Sequence, residues 1–233
     1  MDCADEYYQI YMNLADNKSK EIFMKVILFR LTYDPRMHCE NATLYPHYFD
    51  ADIVSLGTEE VFVDCGGYVG DTLEEFKKIT NNNFKKYYLF EPDKKLIEIA
   101  KEKGDDRVTY INKGVWKEET SLFFKEETAP GNGTLTDSQI DEKEIEVKVT
   151  NLDANIDETT FIKMDIEGSE LMGLTGGQNL IKKSHPKLAI CVYHKYEDFR
   201  VLYDYIKSLG KYKIYLRAEM DNIDTEIYYL CIP

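Results

Sequence analysis

No two cysteines in this 233-residue chain are spaced Cys-x-x-Cys, and the five present (Cys3, Cys39, Cys65, Cys191 and Cys231) are odd in number and widely separated. Neither a zinc ribbon nor a disulfide framework is signalled, and a reducing compartment is expected. Basic residues are scarce too. There are 29 Lys and Arg against 43 Asp and Glu, which gives a formal charge of −14 and a pI near 4.8. Binding to a phosphate backbone relies on basic surface that releases counterions, so nucleic acid is not an expected partner. Long apolar runs are missing: the most apolar early segment, 22–33, is interrupted by Lys25 and Arg30. The first residues, Met1-Asp2-Cys3-Ala4-Asp5-Glu6, are acidic where a secretory leader would be basic. The expectation is a soluble cytoplasmic protein with no membrane partner. Internal repeats and low-complexity tracts are absent as well, and the length is read as one large domain or a domain with a small appendage.

What the chain does have is a strand-like run that ends in an acid and three nearby glycines. Residues 60–72 read Glu-Val-Phe-Val-Asp-Cys-Gly-Gly-Tyr-Val-Gly-Asp-Thr. Val61, Phe62 and Val63 suit a parallel strand buried on both faces, which Asp64 is expected to end. Gly66, Gly67 and Gly70 permit a sharp turn and close approach to a ligand, and Thr72 onward reads as the start of a helix. The dinucleotide fingerprint G-x-G-x-x-G would need glycine at positions 66, 68 and 71, and Tyr68 and Asp71 break it. A carboxylate at Asp64 would repel a pyrophosphate and hold an ammonium group, which favours S-adenosylmethionine over NAD. The next strand, Tyr87 to Phe90, ends in Glu91, which lies 25 residues after Gly66. An acid at that tip can bind both hydroxyls of a ribose.

Strand and helix signals alternate from residue 60 onward. After the second strand come a helix over 94–103, a strand over 107–112, a strand over 161–165, a helix over about 169–181 and a strand over 188–193. A helix over 197–209 and two strands, 213–217 and 226–232, complete the pattern. It predicts an α/β fold with a mainly parallel sheet, a C-terminal antiparallel hairpin and a ligand site at the strand tips. Residues 3–31 carry apolar positions at helical spacing (Ile10, Leu14, Ile22, Val26, Phe29) up to Asp34-Pro35 and predict an N-terminal helical cap. Between Trp116 and Asp153, strands at 121–124 and 145–150 flank a polar stretch with Pro130-Gly131-Asn132-Gly133. The 125–144 loop is either a substrate-shaping element at the site or a solvated surface hairpin.

The segment Phe-Ile-Lys-Met-Asp-Ile-Glu-Gly-Ser-Glu, residues 161–170, places a lysine and an acid in an apolar strand. Side chains alternate, so Lys163 and Asp165 share a face, and a buried ammonium there requires a partner. Two readings follow: a satisfied internal ion pair, or Asp165 at the strand exit over the cofactor with Lys163 setting its charge. The fifth strand ends in Tyr193-His194, and neighbouring parallel strands would bring His194 to the edge that carries Asp165, making a general base available. The catalytic candidates are therefore Asp165, His194 and Lys163. Asp165, Glu167 and His194 match no dedicated metal-ligand spacing, and no metal is expected. Cys65, inside the glycine turn, has no base adjacent in sequence and reads as a buried structural thiol.

Three blocks in order, Val63-Asp64-Cys65-Gly66 to Gly70-Asp71-Thr72, Phe90-Glu91-Pro92 and Lys163-Met164-Asp165-Ile166-Glu167-Gly168-Ser169-Glu170, resemble the FkbM-type family of S-adenosylmethionine-dependent methyltransferases. The likeness extends over about 48–233 and leaves 1–47 outside as the cap. The resemblance implies a class I methyltransferase (Rossmann-like) fold with a seven-stranded sheet and helices on both faces. It implies that Asp64, Gly66 and Gly70 line the methionine part of the cofactor and Glu91 its ribose, with Gly67, Tyr68, Asp71 and Thr72 also among the cofactor-binding residues. Asn112 and Lys113 would lie near adenine, and Asp165 would serve cofactor and chemistry alike. Gly67 stands where many relatives have alanine. The family mostly methylates hydroxyls on sugars and on polyketide or glycan-type products, and the Asn/Asp-Pro-Pro-Tyr signature of amino-directed enzymes is absent.

Three function classes are therefore set side by side. The leading one is an O-methyltransferase acting on a small-molecule or glycan acceptor. A non-catalytic module that binds a nucleoside cofactor or a partner is the alternative, and a nucleotide-dependent oxidoreductase is disfavoured by the broken fingerprint.

Overall fold

The apolar runs read from the sequence become strands whose ends carry the acids and glycines. The structure is a computed structural model and describes residues 3–34, 36, 46–126, 133–136, 145–218 and 226–233. It begins with α1 (Cys3–Asn13) and α2 (Asn17–Thr32), followed by β1 (Val61–Cys65), α3 (Asp71–Ile79), β2 (Lys86–Phe90), α4 (Lys94–Lys101) and β3 (Val108–Ile111). Four short strands come next: β4 (Gly114–Val115), β5 (Thr120–Glu126), β6 (Gly133–Thr136) and β7 (Ile145–Thr150). The chain continues through β8 (Phe161–Met164), α5 (Glu170–Gly176), α6 (Gln178–Ser184), β9 (Lys187–Cys191), α7 (Asp198–Leu209), β10 (Lys213–Ala218) and β11 (Ile227–Ile232). Seven strands form one sheet in the order β10-β11-β9-β8-β1-β2-β3, the mainly parallel α/β architecture expected from the alternation.

The chain divides into two compact units, 56–186 and 1–55 with 187–233. In the first, β1 pairs in parallel with β2 and β8, and β2 with β3. Because strand side chains alternate, Phe62 and Asp64 of β1, Tyr87 and Leu89 of β2, and Phe161 and Lys163 of β8 share one face. Its apolar part is an aromatic cluster in which the Phe62 ring lies 5.0 Å from Tyr87, 4.9 Å from Phe161 and 4.8 Å from Phe76 of α3. A second sheet, β4-β7-β5-β6, occupies the 114–150 stretch.

In the second unit β11 runs antiparallel to both β10 and β9, which gives the C-terminal hairpin pair. Buried Arg217 of β10 ties the N-terminal helices to it. Its guanidinium donates to Asp50 Oδ2 at 2.6 Å, to Asp16 Oδ2 at 2.7 Å and to Ser19 Oγ at 2.9 Å. Asp16 is also the N-cap of α2, accepting the Ser19 amide at 2.7 Å.

Four boundaries differ from the sequence reading. Strand β1 runs on through Asp64 and Cys65, because the carboxylate finds partners inside the fold. The helix expected over 169–181 is two helices joined at Gly177. A Cβ on Gly176 would lie 2.1 Å from the Trp116 carbonyl oxygen, so the first helix ends against that backbone. Strand β9 stops at Cys191 rather than Tyr193, since the chain is turning toward α7, where Asp198 accepts the Lys195 amide at 2.8 Å. The expected pair of strands over 121–150 is part of a four-stranded sheet. Cys39, Pro130, Gly131 and Asn132, and with them most of the 125–144 loop, lie outside the described residues. Among the described residues no helix is long and apolar enough to cross a membrane.

Candidate cofactor and catalytic site

Within the unit of 56–186 the strand order turns at β1: β2 and β3 lie to one side and β8 to the other. Ligands of open α/β sheets bind outside the carboxyl ends of the strands at such a switch point. Here those ends present 66–71 after β1, 91–93 after β2, 112–113 after β3 and 165–168 after β8.

The turn after β1 is folded onto the end of β2. The amides of Gly66 and Gly67 both donate to the Phe90 carbonyl at 3.0 Å, and the Gly70 amide donates to the Gly67 carbonyl at 2.8 Å. Gly66 and Gly70 have φ of 79° and 78°, a region that glycine enters without penalty, while Tyr68 is held there at 43°. A Cβ on Gly66 would lie 1.9 Å from the Asp165 carbonyl oxygen, so the turns after β1 and β8 touch backbone to backbone. A Cβ on Gly67 would lie 2.3 Å from Leu89 Cγ. Alanine at 67, a small change by sequence, thus requires a different neighbour at Leu89. Asp71 is exposed in the first turn of α3 and Thr72 is buried behind it.

Asp64 is not at the surface of this turn. It is 0% exposed. Its Oδ1 pairs with Lys163 Nζ at 3.1 Å, and its Oδ2 accepts from the Tyr87 hydroxyl at 2.7 Å. The pairing follows from register, since Asp64 and Lys163 are direct partners on β1 and β8. Lys163 also donates to the Gly66 carbonyl at 2.6 Å, so the ion pair braces the turn from beneath. Burial raises the Asp64 carboxyl above its usual range, against the pull of Lys163 and Tyr87. The ammonium contact expected of Asp64 is met here by Lys163. The acid that this turn exposes is Asp71. Buried Cys65 has its thiol pushed up, chiefly by burial, as a structural thiol would.

Glu91 links strand tip and turn. Its Oε2 accepts the Tyr68 amide and its Oε1 the Asp93 amide, each at 3.0 Å. Burial raises its pKa, with those two amides and Lys163 opposing. Asn112 donates through Nδ2 to the carbonyls of Glu91 and Pro92 at 3.0 and 2.8 Å, fixing the backbone that carries Glu91. Lys113 pairs with Glu119. After β8 the Asp165 amide donates to the Cys65 carbonyl at 3.1 Å, and Glu167 and Gly168 follow with φ of 56° and 84°. Asp165 and Glu167 are partly exposed.

The fold therefore gathers Asp64, Gly66, Gly67, Tyr68, Gly70, Asp71, Thr72, Glu91, Asn112, Lys113, Lys163 and Asp165 at or beneath adjacent strand ends of one unit. His194 belongs to the other unit, where its ring centroid lies 4.1 Å from that of Tyr193. Tyr87 and Glu170 were not assigned to the site from sequence. Alternation along β2 placed Tyr87 on a definite face, but only the register shows which acid that face contains.

The FkbM methyltransferase domain matches residues 64–213. Among solved structures, the methyltransferase FkbM from Methylobacillus flagellatus KT is 27% identical with a TM-score of 0.82, over 97% of this chain and 58% of that one. The chain thus spans little more than half the length of that protein. A rRNA methylase from Streptococcus thermophilus is 16% identical with a TM-score of 0.50, over 82% of this chain and 97% of that one, a likeness of fold alone. A comparison with curated proteins finds no match. With well over half of its residues in that match, the chain belongs to the FkbM methyltransferase domain family.

Proposed function

We propose that this chain transfers a methyl group from S-adenosylmethionine to a hydroxyl group of a sugar, glycan or polyketide-like small molecule. The observation that carries the reading is the glycine turn after β1, fastened to the Glu91 carboxylate and seated against the backbone of Asp165, in a chain of this family. The residues fit that cofactor better than a dinucleotide. Asp71 and Glu74 in the first turn of α3 put negative charge where a pyrophosphate would sit. Glu91 offers a carboxylate at the tip of the second strand, suited to vicinal ribose hydroxyls.

When bound, S-adenosylmethionine supplies an electrophilic methyl group. Gly66, Gly67, Tyr68, Gly70, Asp71 and Thr72 would hold its methionine side, Glu91 its ribose, and Asn112 and Lys113 its base. Proton removal from the acceptor hydroxyl is assigned to Asp165 or His194, side chains of the kinds that serve as general bases. Lys163 acts through Asp64 and the Gly66 carbonyl, as a positioning residue. The charge of −14 supports a small-molecule or glycan acceptor over nucleic acid. The buried cysteines Cys65, Cys191 and Cys231 suit the cytoplasmic location that completes the proposal.

Calorimetric titration with S-adenosylhomocysteine beside NAD tests it. The parent should bind S-adenosylhomocysteine and not NAD, with Glu91→Ala weaker by about tenfold or more. Tighter binding of NAD would refute the cofactor. For the chemistry, Asp165→Asn should keep S-adenosylhomocysteine affinity and lower turnover with any acceptor found by screening. Unchanged turnover would remove Asp165 from the reaction.

A further inference from the structure

Glu170 stands at the first position of α5 and is 1% exposed. Its carboxylate is turned back, away from its own helix, onto the loop that follows β8. Oε1 accepts the Ile166 amide at 2.9 Å and the Gly168 amide at 3.4 Å. Those amides bracket Glu167, and Glu167 and Gly168 are two consecutive left-handed residues. For a residue with a Cβ that conformation costs about 1–2 kcal/mol and persists only where the surroundings over-determine it. An acid is favoured in the first turn of any helix by the dipole. The dipole does not explain why the carboxylate reaches amides that precede the helix.

The same loop touches the proposed cofactor turn. The Asp165 amide is fixed to the Cys65 carbonyl at 3.1 Å, and the Asp165 carbonyl oxygen leaves no room for a Cβ on Gly66. Any relaxation of 166–168 therefore displaces Asp165 relative to the glycine turn. We propose that Glu170 is a positioning residue: its carboxylate clamps the Ile166–Gly168 turn and so sets where Asp165 meets the 66–70 turn. Its functional consequence rests on the methyltransferase reading; the clamp itself does not.

Amide hydrogen exchange on the 233-residue chain tests the clamp without any cofactor. In Glu170→Leu, which keeps bulk and removes the acceptor, exchange at Ile166 and Gly168 should accelerate about tenfold or more while the β8 amides stay protected. In Glu170→Gln, which retains an acceptor oxygen, both amides should stay within about threefold of the parent. S-adenosylhomocysteine affinity should follow the same order, with Gln near the parent and Leu weaker. If Glu170→Leu fails to fold, Glu170→Asn, one methylene shorter, takes its place with the same expectation. Parent-like exchange in the Leu or Asn variant overturns the clamp, as does equal acceleration in the Gln and Leu variants. A parent that binds no S-adenosylhomocysteine refutes the cofactor, and the exchange rates still decide the role of Glu170.

Discussion

Lys163 and Asp64 face one another across neighbouring parallel strands, Nζ to Oδ1 at 3.1 Å, and the lysine reaches the Gly66 carbonyl at 2.6 Å with the same nitrogen. Two charges withdrawn from water stabilise a fold only when geometry and additional hydrogen bonds offset their desolvation. Here the Tyr87 hydroxyl and a carbonyl of the glycine turn supply those bonds. The pair thus couples the interior of the sheet to the turn proposed to hold the cofactor.

Breaking the pair from one side leaves a buried charge without its partner, so the losses from the two single variants should not add. Lys163→Met leaves Asp64 buried without its counter-charge and is expected to destabilise by about 3–5 kcal/mol. The double variant Asp64→Asn with Lys163→Met should be less destabilised than the sum of the singles by about 1 kcal/mol or more. Urea denaturation of the four proteins measures both numbers. Additive effects would show that the two side chains do not act as a pair.

Gly67 and Leu89 make a second coupled pair, through shape. Gly67→Ala should destabilise by about 1–3 kcal/mol, because the added methyl would overlap the fully buried Leu89 side chain. Adding Leu89→Val should recover part of that loss by opening room, although Leu89→Val alone removes a buried methylene. Thermal unfolding of the singles and the double variant tests this, and a Gly67→Ala protein as stable as the parent would refute the contact.

Those two pairs mark the boundary of what could be read from the sequence. The strand-turn-helix from Val61 to Ile79 was legible because its signals are local: an apolar run, an acid and glycines at fixed spacing. Glu91 was legible for the same reason, as was the alternation that gives the α/β sheet. The partner of Asp64 was not, because it depends on the register between strands far apart in sequence, and an acid at a strand end looks alike whether it faces ligand or core. The break between α5 and α6 falls at Gly176-Gly177, two poor helix formers, where the backbone also closely approaches Trp116, a contact that the sequence does not reveal. The role of Glu170 was not legible either, since the left-handed turn it reaches cannot be inferred from composition.

Glu91 predicts a pH effect with a definite sign. Burial raises its folded-state pKa above the ordinary 4.5. The folded state therefore binds the proton more tightly than the unfolded chain. Its contribution is fully present below the unfolded value and is lost as pH rises through the folded one. Glu91→Gln stays neutral throughout, so its stability relative to the parent should improve as pH rises from about 4.5 through the folded value and then level off. Denaturation midpoints of both proteins between about pH 4 and 8 test it. A constant offset across that range would mean that Glu91 titrates alike in folded and unfolded chains.

Arg217 gives the unit of 1–55 and 187–233 its own electrostatic joint, with Asp50 buried beside it and Asp16 partly exposed at the cap of α2. Arg217→Met strands the Asp50 carboxylate in the interior and should destabilise by about 3–5 kcal/mol near neutral pH. Arg217→Lys keeps the charge but cannot reach both acids with a planar fork, so an intermediate loss is expected. Asp16 also gives the effect a pH dependence. Burial pushes the Asp16 carboxyl up, but the bonds from Arg217 and Ser19 outweigh it and hold the pKa below the ordinary 3.8. A carboxyl lowered in this way contributes stability above its unfolded value, and the contribution is lost as pH falls through the folded one. The gap between parent and Arg217→Met should therefore narrow as the pH drops below about 4, where Asp16 takes up a proton and its bond to Arg217 no longer stabilises the parent. Guanidinium chloride would screen this electrostatic difference, so urea titrations at several pH values are the appropriate measurement. A gap that stays the same from neutral pH down to about 3 would assign the loss to packing of the guanidinium rather than to its charge.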